Sequence, residues 1–264
     1  MQQVLMTGAA GGIGTLLRPI LPKLGVKMRL SDMADPDGGP APDEDWAMAD
    51  LTDAADVARV VEGCDAILHF GGISTENRAD LIHEVNVKGT YTLYEAARKA
   101  GVRRILFAST NHVIGFHRRE TLLDADSEVR PDSIYGVSKA YGEALATYYW
   151  HKFEIESLIL RIGSCFPEPK DRRMMATWMS REDMLRLIET MLFAPRLGCP
   201  VVYGVSDNPE CWWDNSKTAY LGWRPRDSSA QFAAKFADFE PEDPNDPAVV
   251  YQGGGFAKAG HYED

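Results

Sequence analysis

The chain has 264 residues, 45% hydrophobic and 25% charged, with Lys+Arg 28 against Asp+Glu 39. At roughly 100–200 residues per domain, this is one large domain or a domain with a small appendage, and it can bury a core without disulfides or metals. The net charge of −11 argues against nucleic acid or an anionic membrane as the main partner, because both need clustered positive charge.

No apolar run approaches the ~20 residues of a membrane span. The start, MQQVLMTGAAGGIG, has no basic stretch leading into a long apolar one, so no signal peptide is expected. Cys64, Cys165, Cys199 and Cys211 are scattered without a CxxC pair, which predicts reduced thiols in a cytoplasmic protein.

In chain order, VLMT (4–7) predicts a buried strand, followed by glycines and an apolar periodic stretch to about Leu24. KMRLSD (27–32) predicts a second strand and residues 46–49 a weak third. A helix over 53–62, the strand AILHF (66–70) and a long helix over 78–100 ended by Gly101 come next. The strand RILFAS (104–109), a long helix over 133–152 and the strand ESLILRIG (156–163) complete the regular alternation. Strands alternating with helices indicate βαβ units and a parallel α/β sheet. Beyond it, 181–194 predicts a helix and PVVYGV (200–205) a strand, before WWDNS, LGWRP and the turn-rich EPEDPNDP (240–247). Crossing loops and short helices are expected there, in an order the pattern does not give. The predicted division is 1–167 as a nucleotide-binding domain and 168–264 as a small substrate-binding region partly integrated into it.

The segment TGAAGGIG, Thr7 to Gly14, follows a strand and opens a helix. Gly8, Gly11 and Gly14 form GxxGxxG, with Gly12 and Ile13 between. Glycines there allow a tight turn and close approach of backbone to a pyrophosphate, beside the unpaired N–H groups of a helix start. The second strand ends at Asp32, 18 residues after Gly14. A carboxylate there accepts from ribose hydroxyls and repels a 2′-phosphate, and no Arg adjoins it, so NAD is expected rather than NADP.

Tyr135 and Lys139 lie at i and i+4 at the start of the 133–152 helix. Four residues rise about 6 Å, so the two side chains share a face one turn apart. A free phenol, with a pKa of about 10, is a poor base at neutral pH. A neighbouring Lys⁺ favours its phenolate, which can remove a hydroxyl proton as hydride leaves. Thr110, just past the strand 104–109, sits at the carboxyl end of the sheet and can position the same hydroxyl.

Together these residues resemble the extended branch of the short-chain dehydrogenase/reductase superfamily. The likeness rests on TGxxGxxG at 7–14, Asp32, Asp50-Leu51, NVKGT at 86–90, STNHVIG at 109–115 and PDSIYGVSK at 131–139, and covers about residues 1–167. It implies a Rossmann-type doubly wound sheet and NAD. By the same resemblance Asp50 meets the adenine with Leu51 beside it. Phe70, Gly71, Gly72, Ile73 and Ser74 line the ribose and nicotinamide, with Asn86 among the cofactor positions. Lys139 holds the nicotinamide ribose. Two departures point to a small substrate. Asn111 and His112 follow the Thr110 hydroxyl where small residues are usual, and Ser164 stands in RIGSCFPEP with only about 100 residues left for a substrate region.

A narrower resemblance fits those departures. HFGGIST, ASTNHVIGF, RIGSCFPEP, GCPVV, WWDNS, LGW and DPNDP are similar to the uronate dehydrogenase family over nearly the whole chain. That resemblance implies oxidation of C1 of glucuronate or galacturonate to an aldarolactone. It places substrate contacts on Ser74, Thr110, Asn111, His112, Ser164 and Arg173, and a backbone cofactor contact on Cys165. A C6 carboxylate needs a cation, and Arg offers a bidentate fork. Arg172, Arg118 and Arg119 also follow strand ends and are the alternatives to Arg173. His112 is expected to position substrate rather than act as a second base. Trp212, Trp213 and Trp223 are expected to pack rather than form a sugar platform. No metal is expected, and a homo-oligomer paired through the helices 78–100 and 133–152 is. Two other classes fit parts of the pattern: a nucleotide-sugar epimerase or dehydratase that shows no net NADH, and a non-enzymatic NAD sensor, for which the Tyr135–Lys139 pair has no use.

Overall fold

The computed structural model describes residues 2–237 and 243–262. Residues 240–242 of the turn-rich segment lie outside them. Strand β1 (Gln3–Thr7) leads through the glycine turn into α1 (Gly12–Leu17). The predicted helix to Leu24 stops at Leu17 and resumes only as a 3₁₀ turn, Leu21–Leu24. Pro19 and Pro22 explain the correction, since each lacks an N–H and clashes with the preceding turn of a helix. Strands β2 (Lys27–Asp32) and β3 (Asp45–Met48) follow. Helix α2 (Ala54–Val61) is capped by Asp53, whose carboxylate accepts from the N–H groups of Ala55 and Asp56.

After β4 (Ala66–His69), the long predicted helix is present but not uniform. Helix α3 (Ala79–Ile82) widens into a π-turn over His83–Lys88 before α4 (Gly89–Ala100), which ends on left-handed Gly101. Strand β5 (Arg104–Thr110) includes Thr110 as its last residue, and a 3₁₀ turn, Asn111–Ile114, follows directly. Helix α5 (Ile134–Phe153) begins on the N-cap Ser133 and leads to β6 (Glu156–Ile162). The remainder comprises α6 (Met174–Thr177), α7 (Arg181–Phe193), β7 (Val201–Gly204), 3₁₀ turns Ser216–Leu221 and Ser229–Phe236, α8 (Pro247–Val250) and α9 (Gly255–Lys258).

The seven strands form one parallel sheet in the order β3-β2-β1-β4-β5-β6-β7. Chain direction across the sheet reverses at β1, which pairs with both β2 and β4. A crevice outside the carboxyl ends of strands at such a reversal is where doubly wound sheets bind ligands. Alternation along the strands builds the two layers: Val4, Met6, Leu106 and Leu158 face α1 and α7, while Leu5, Ile105, Phe107 and Ile159 face α2, α4 and α5. Strand β7 and the α7 residues Met184, Leu187, Ile188 and Met191 belong to this sheet and core, although they come after residue 167. Gly142 seats α5 close on the sheet: a Cβ there would lie 2.1 Å from Phe107 Cζ. A buried ion pair fixes the same helix, with Arg161 Nε and Nη2 donating to Glu143 at 2.9 and 2.8 Å and the Ser109 hydroxyl donating to it at 2.6 Å. Among the described residues no helix is long and apolar enough to cross a membrane.

Candidate active site

The glycine turn fits against the next loop with no room for side chains. Gly8 has φ +74°, and a Cβ on it would lie 2.6 Å from the Gly71 nitrogen, while one on Gly14 would lie 2.4 Å from the Gly8 carbonyl oxygen. Gly12 instead faces open space, with nothing within 4 Å of a Cβ, and Ile13 packs against the core layer behind it. The first N–H groups of α1 have no partner within the helix and lie just beyond the carboxyl end of β1. Asp32 adjoins the turn: Oδ2 accepts the Ala10 N–H at 2.9 Å and Oδ1 the Met33 N–H at 2.8 Å. Asp50 Oδ1 accepts from both the N–H and hydroxyl of Thr52 at 2.8 Å.

The 70–74 loop runs across the mouth of the crevice. Leu51 packs over Gly71, where a Cβ would lie 2.7 Å from Leu51 Cδ1. Asn86, buried in the wide π-turn, accepts the Ile73 N–H at 2.8 Å and donates to the Ile73 carbonyl at 2.9 Å. A Cβ on Gly72 would stand 3.8 Å from Lys139 Nζ, so the exposed loop meets the helix at that residue. Phe70 is half-buried against the core, and Ser74 is exposed.

Tyr135 and Lys139 are both buried, at 6% exposure each. Lys139 Nζ lies 5.9 Å from the centre of the Tyr135 ring and 5.3 Å from that of Phe107. Burial pushes the Tyr135 phenol up to about 12, while hydrogen bonding with the Thr110 hydroxyl works to lower it. Burial pushes Lys139 down to about 8. Thr110 also accepts the His112 N–H at 3.2 Å, which fixes the turn leaving β5.

Around this pair the structure gathers Asn111, His112 and Arg173. His112 Nδ1 lies 2.9 Å from Asp132 Oδ2, and the ring is 6.0 Å from that of Tyr135. Asp132 is fully enclosed between Gly115 and Gly253, where added Cβ atoms would come within 1.9 and 1.8 Å of its Oδ2. With the Asn111 amide oriented to satisfy both ends, Oδ1 accepts from Arg173 Nη2 at 2.6 Å and Nδ2 donates to the Ile162 carbonyl at 3.1 Å. Arg173 Nε donates to the Gln252 carbonyl at 2.8 Å. No carboxylate forms an ion pair with Arg173 among the described residues, and burial lowers its pKa to about 10.

Ser164 is buried, its hydroxyl 2.9 Å from that of Thr177, and Cys165 is buried beside it. Of the alternative cations, Arg172 is exposed and Arg118 pairs with Glu120 on the surface. Arg119 stands over Trp212 and donates to the Ala248 carbonyl at 2.7 Å. Trp213 stacks on Tyr203 at 5.3 Å, and Trp223 packs against the core layer of α7.

Several residues at this site carry no local signal in the sequence. Gln252 and Gly253 join it from a distant segment. Phe256 stacks on His112 at 3.9 Å between ring centres and stands 6.4 Å from Tyr135. Glu76 reaches the first turn of α5, with Oε2 accepting the Tyr135 N–H at 2.8 Å. An aromatic after QGGG and an acid in a loop look like surface features until the fold brings them in.

A glycine turn at a sheet reversal, with a Tyr-x-x-x-Lys helix on the same sheet, defines a class. The chain belongs to the NAD dependent epimerase/dehydratase family, whose model matches residues 4–186. Within that class it is a member of the uronate dehydrogenase family. It is 49% identical to the uronate dehydrogenase of Pseudomonas syringae pv. tomato, over 99% of this chain and 95% of that protein. The crystal structure of a glucuronic acid dehydrogenase from Chromohalobacter salexigens matches at a TM-score of 0.96 with 51% identity, covering 100% of this chain and 99% of that one. A uronate dehydrogenase from Agrobacterium tumefaciens, solved as a tyrosine-to-alanine mutant complexed with NAD, matches at 0.94 with 45% identity over 98% of both chains. This chain is an NAD-dependent oxidoreductase.

Proposed function

We propose that this chain oxidises C1 of a cyclic hexuronate, glucuronate or galacturonate, to the aldarolactone. The observation that carries the reading is Arg173, a cation tied to Asn111 and paired with no carboxylate among the described residues. An unpaired, partly buried charge is costly, and a substrate carboxylate would relieve that cost. C1 of a cyclic uronate bears both a hydrogen and a hydroxyl, so removing both as hydride and proton yields a lactone directly.

In this reading the Thr110 hydroxyl and the Tyr135 phenol hold the C1 hydroxyl, and Tyr135 takes its proton. Lys139 stabilises the phenolate and binds the nicotinamide ribose. Asn111, His112, Ser74 and Ser164 contribute hydrogen bonds to the sugar, and Asp132 fixes the ring of His112. NAD, when bound, accepts the hydride. Gly8, Gly11, Gly12, Ile13 and Gly14 would hold its pyrophosphate, Asp32 its adenosine ribose and Asp50 with Leu51 its adenine edge. Phe70, Gly71, Gly72, Ile73, Asn86 and the Cys165 backbone would border the nicotinamide end. An exposed apolar stripe on α5, Ile134, Val137, Tyr141 and Tyr148, with Tyr91 of α4 beside it, supports pairing of two copies along these helices.

Two measurements follow. NMR of protein, NAD and glucuronate should show stoichiometric NADH with the lactone appearing first and decaying to the aldarate. Diacid formed at the initial rate with no lactone lag would make a hydrated open-chain aldehyde the substrate. Conversion of a nucleotide sugar without net NADH would place the activity with the epimerases. The second measurement compares cofactors. Asp32 is held at both oxygens, and a 2′-phosphate there would meet its charge. kcat/KM for NAD should exceed that for NADP by at least about 100-fold, near 2.7 kcal/mol. Equal efficiency with both would remove Asp32 from that role.

A further inference from the structure

The loop that follows β4 is fastened to the start of α5 from two sides. On one side Glu76 presents its carboxylate to the helix end: Oε1 accepts the Ile134 N–H at 3.0 Å and Oε2 the Tyr135 N–H at 2.8 Å. On the other, Asn86 Nδ2 donates to the Ser138 hydroxyl at 3.0 Å, which donates to the Tyr135 carbonyl at 2.7 Å. The peptide N–H of Tyr135 is thus held by a side chain outside α5, and its carbonyl by Ser138 of the same helix, which Asn86 in turn ties to the loop.

The first N–H groups of a helix have no partner within it. The N-cap Ser133 accepts the Gly136 N–H at 3.0 Å. Glu76 takes those of Ile134 and Tyr135, and a negative charge is favoured at that end of a helix. We propose that Glu76 is a positioning residue for Tyr135: it locks the first turn of α5 to the 71–77 loop and so sets the phenol against Thr110 and the C1 hydroxyl. The inference rests on reading Tyr135 as the base. Lys139 lies one turn further on, where the Glu143–Arg161 pair and Phe107 hold the helix. Loss of the Glu76 contact therefore loosens Tyr135 relative to Lys139 instead of moving both together. A misplacement of about 1 Å in a reacting group costs on the order of 10²-fold in rate.

The test compares Glu76→Gln, Glu76→Ala and Tyr135→Phe with wild type by stopped flow, with enzyme in excess over NAD and saturating glucuronate. NADH binding gives the concentration of sites. In Glu76→Ala the rate constant for NADH formation should fall by roughly 10–100-fold, with the concentration of NADH-binding sites unchanged and the dissociation constant for NADH within about threefold. Glu76→Gln keeps one acceptor and should lose less. A purely structural role would lower the amount of competent protein and leave the rate constant alone. Rate constants within twofold of wild type in both Glu76 variants, beside an inactive Tyr135→Phe, would overturn the role of Glu76 while leaving the base assignment standing. An active Tyr135→Phe would overturn both.

Discussion

Tyr135→Phe should lower turnover by roughly 10²–10⁴-fold while NAD binding stays near wild type. The substitution keeps the buried ring, with its edge toward His112, and removes only the ionisable oxygen. Ionisation is the demanding part of the proposed chemistry. Burial holds the phenol up at about 12 and Lys139 down at about 8, so burial works against both charged forms, yet at neutral pH Lys139 keeps its proton and the phenol keeps its own. Lys139 Nζ stands 5.9 Å from the centre of the phenol ring. A positive charge brought beside the phenol favours its ionised form. The sign of the pH dependence follows. Oxidation needs the deprotonated phenol, so kcat should rise with pH and be lost as pH falls through the phenol's pKa in the complex with NAD and substrate. Thr110→Ala should cost less, because it removes a positioning hydrogen bond and leaves the base. Initial rates against pH, with NAD titrations of each variant, check all of this. Near-full activity in Tyr135→Phe would show that the proton goes elsewhere.

What the sequence made legible is local. The strands are short apolar runs whose alternation needs no partner to be recognised, and Asp32 and Thr110 stand at strand ends the pattern marks. Tyr135 and Lys139 share one helix face, so their spacing alone places them together. The early end of α1 was written in Pro19 and Pro22, a local signal outweighed by the apolar period around them. The π-turn that buries Asn86 was not written locally, since its sequence keeps a plain helical pattern. The substrate side was least legible because it is assembled across the chain. Gln252 and Phe256 reach His112 and Arg173 from about 80 to 145 residues away, and no periodicity spans such distances. Glu76 shows the same limit: its partners become neighbours only once β4 and α5 lie in one fold.

Arg173→Ala should lower kcat/KM for glucuronate by at least about 100-fold, and Arg173→Lys should recover only part of it. The guanidinium has five N–H donors, of which the structure commits one to the Gln252 carbonyl and one to Asn111. The Nη1 pair and the second hydrogen of Nη2 remain for a planar anion, and a lysine ammonium cannot reproduce that fork. With a pKa near 10 the side chain stays charged at neutral pH despite its burial. Hydrogen bonds to charged groups are worth roughly 1.5–3 kcal/mol each, so two lost contacts account for the expected fall. The bare loss of rate is not specific, however. Removing the guanidinium also strips Asn111 and the Gln252 carbonyl of a partner, and that penalty falls on every substrate. Glucose separates the two effects, because it carries CH₂OH at C6 and has no carboxylate to lose. Wild type should favour glucuronate over glucose strongly, and Arg173→Ala should shrink that ratio by about the same 100-fold, since a disordered Asn111 harms both sugars alike. If kcat/KM falls for both and their ratio holds, Arg173 acts as a strut for Asn111 and the carboxylate binds elsewhere. The same ratio measured in Arg119→Ala then tests the next cation, which stands over Trp212 and is only partly buried, ahead of the exposed Arg118 and Arg172.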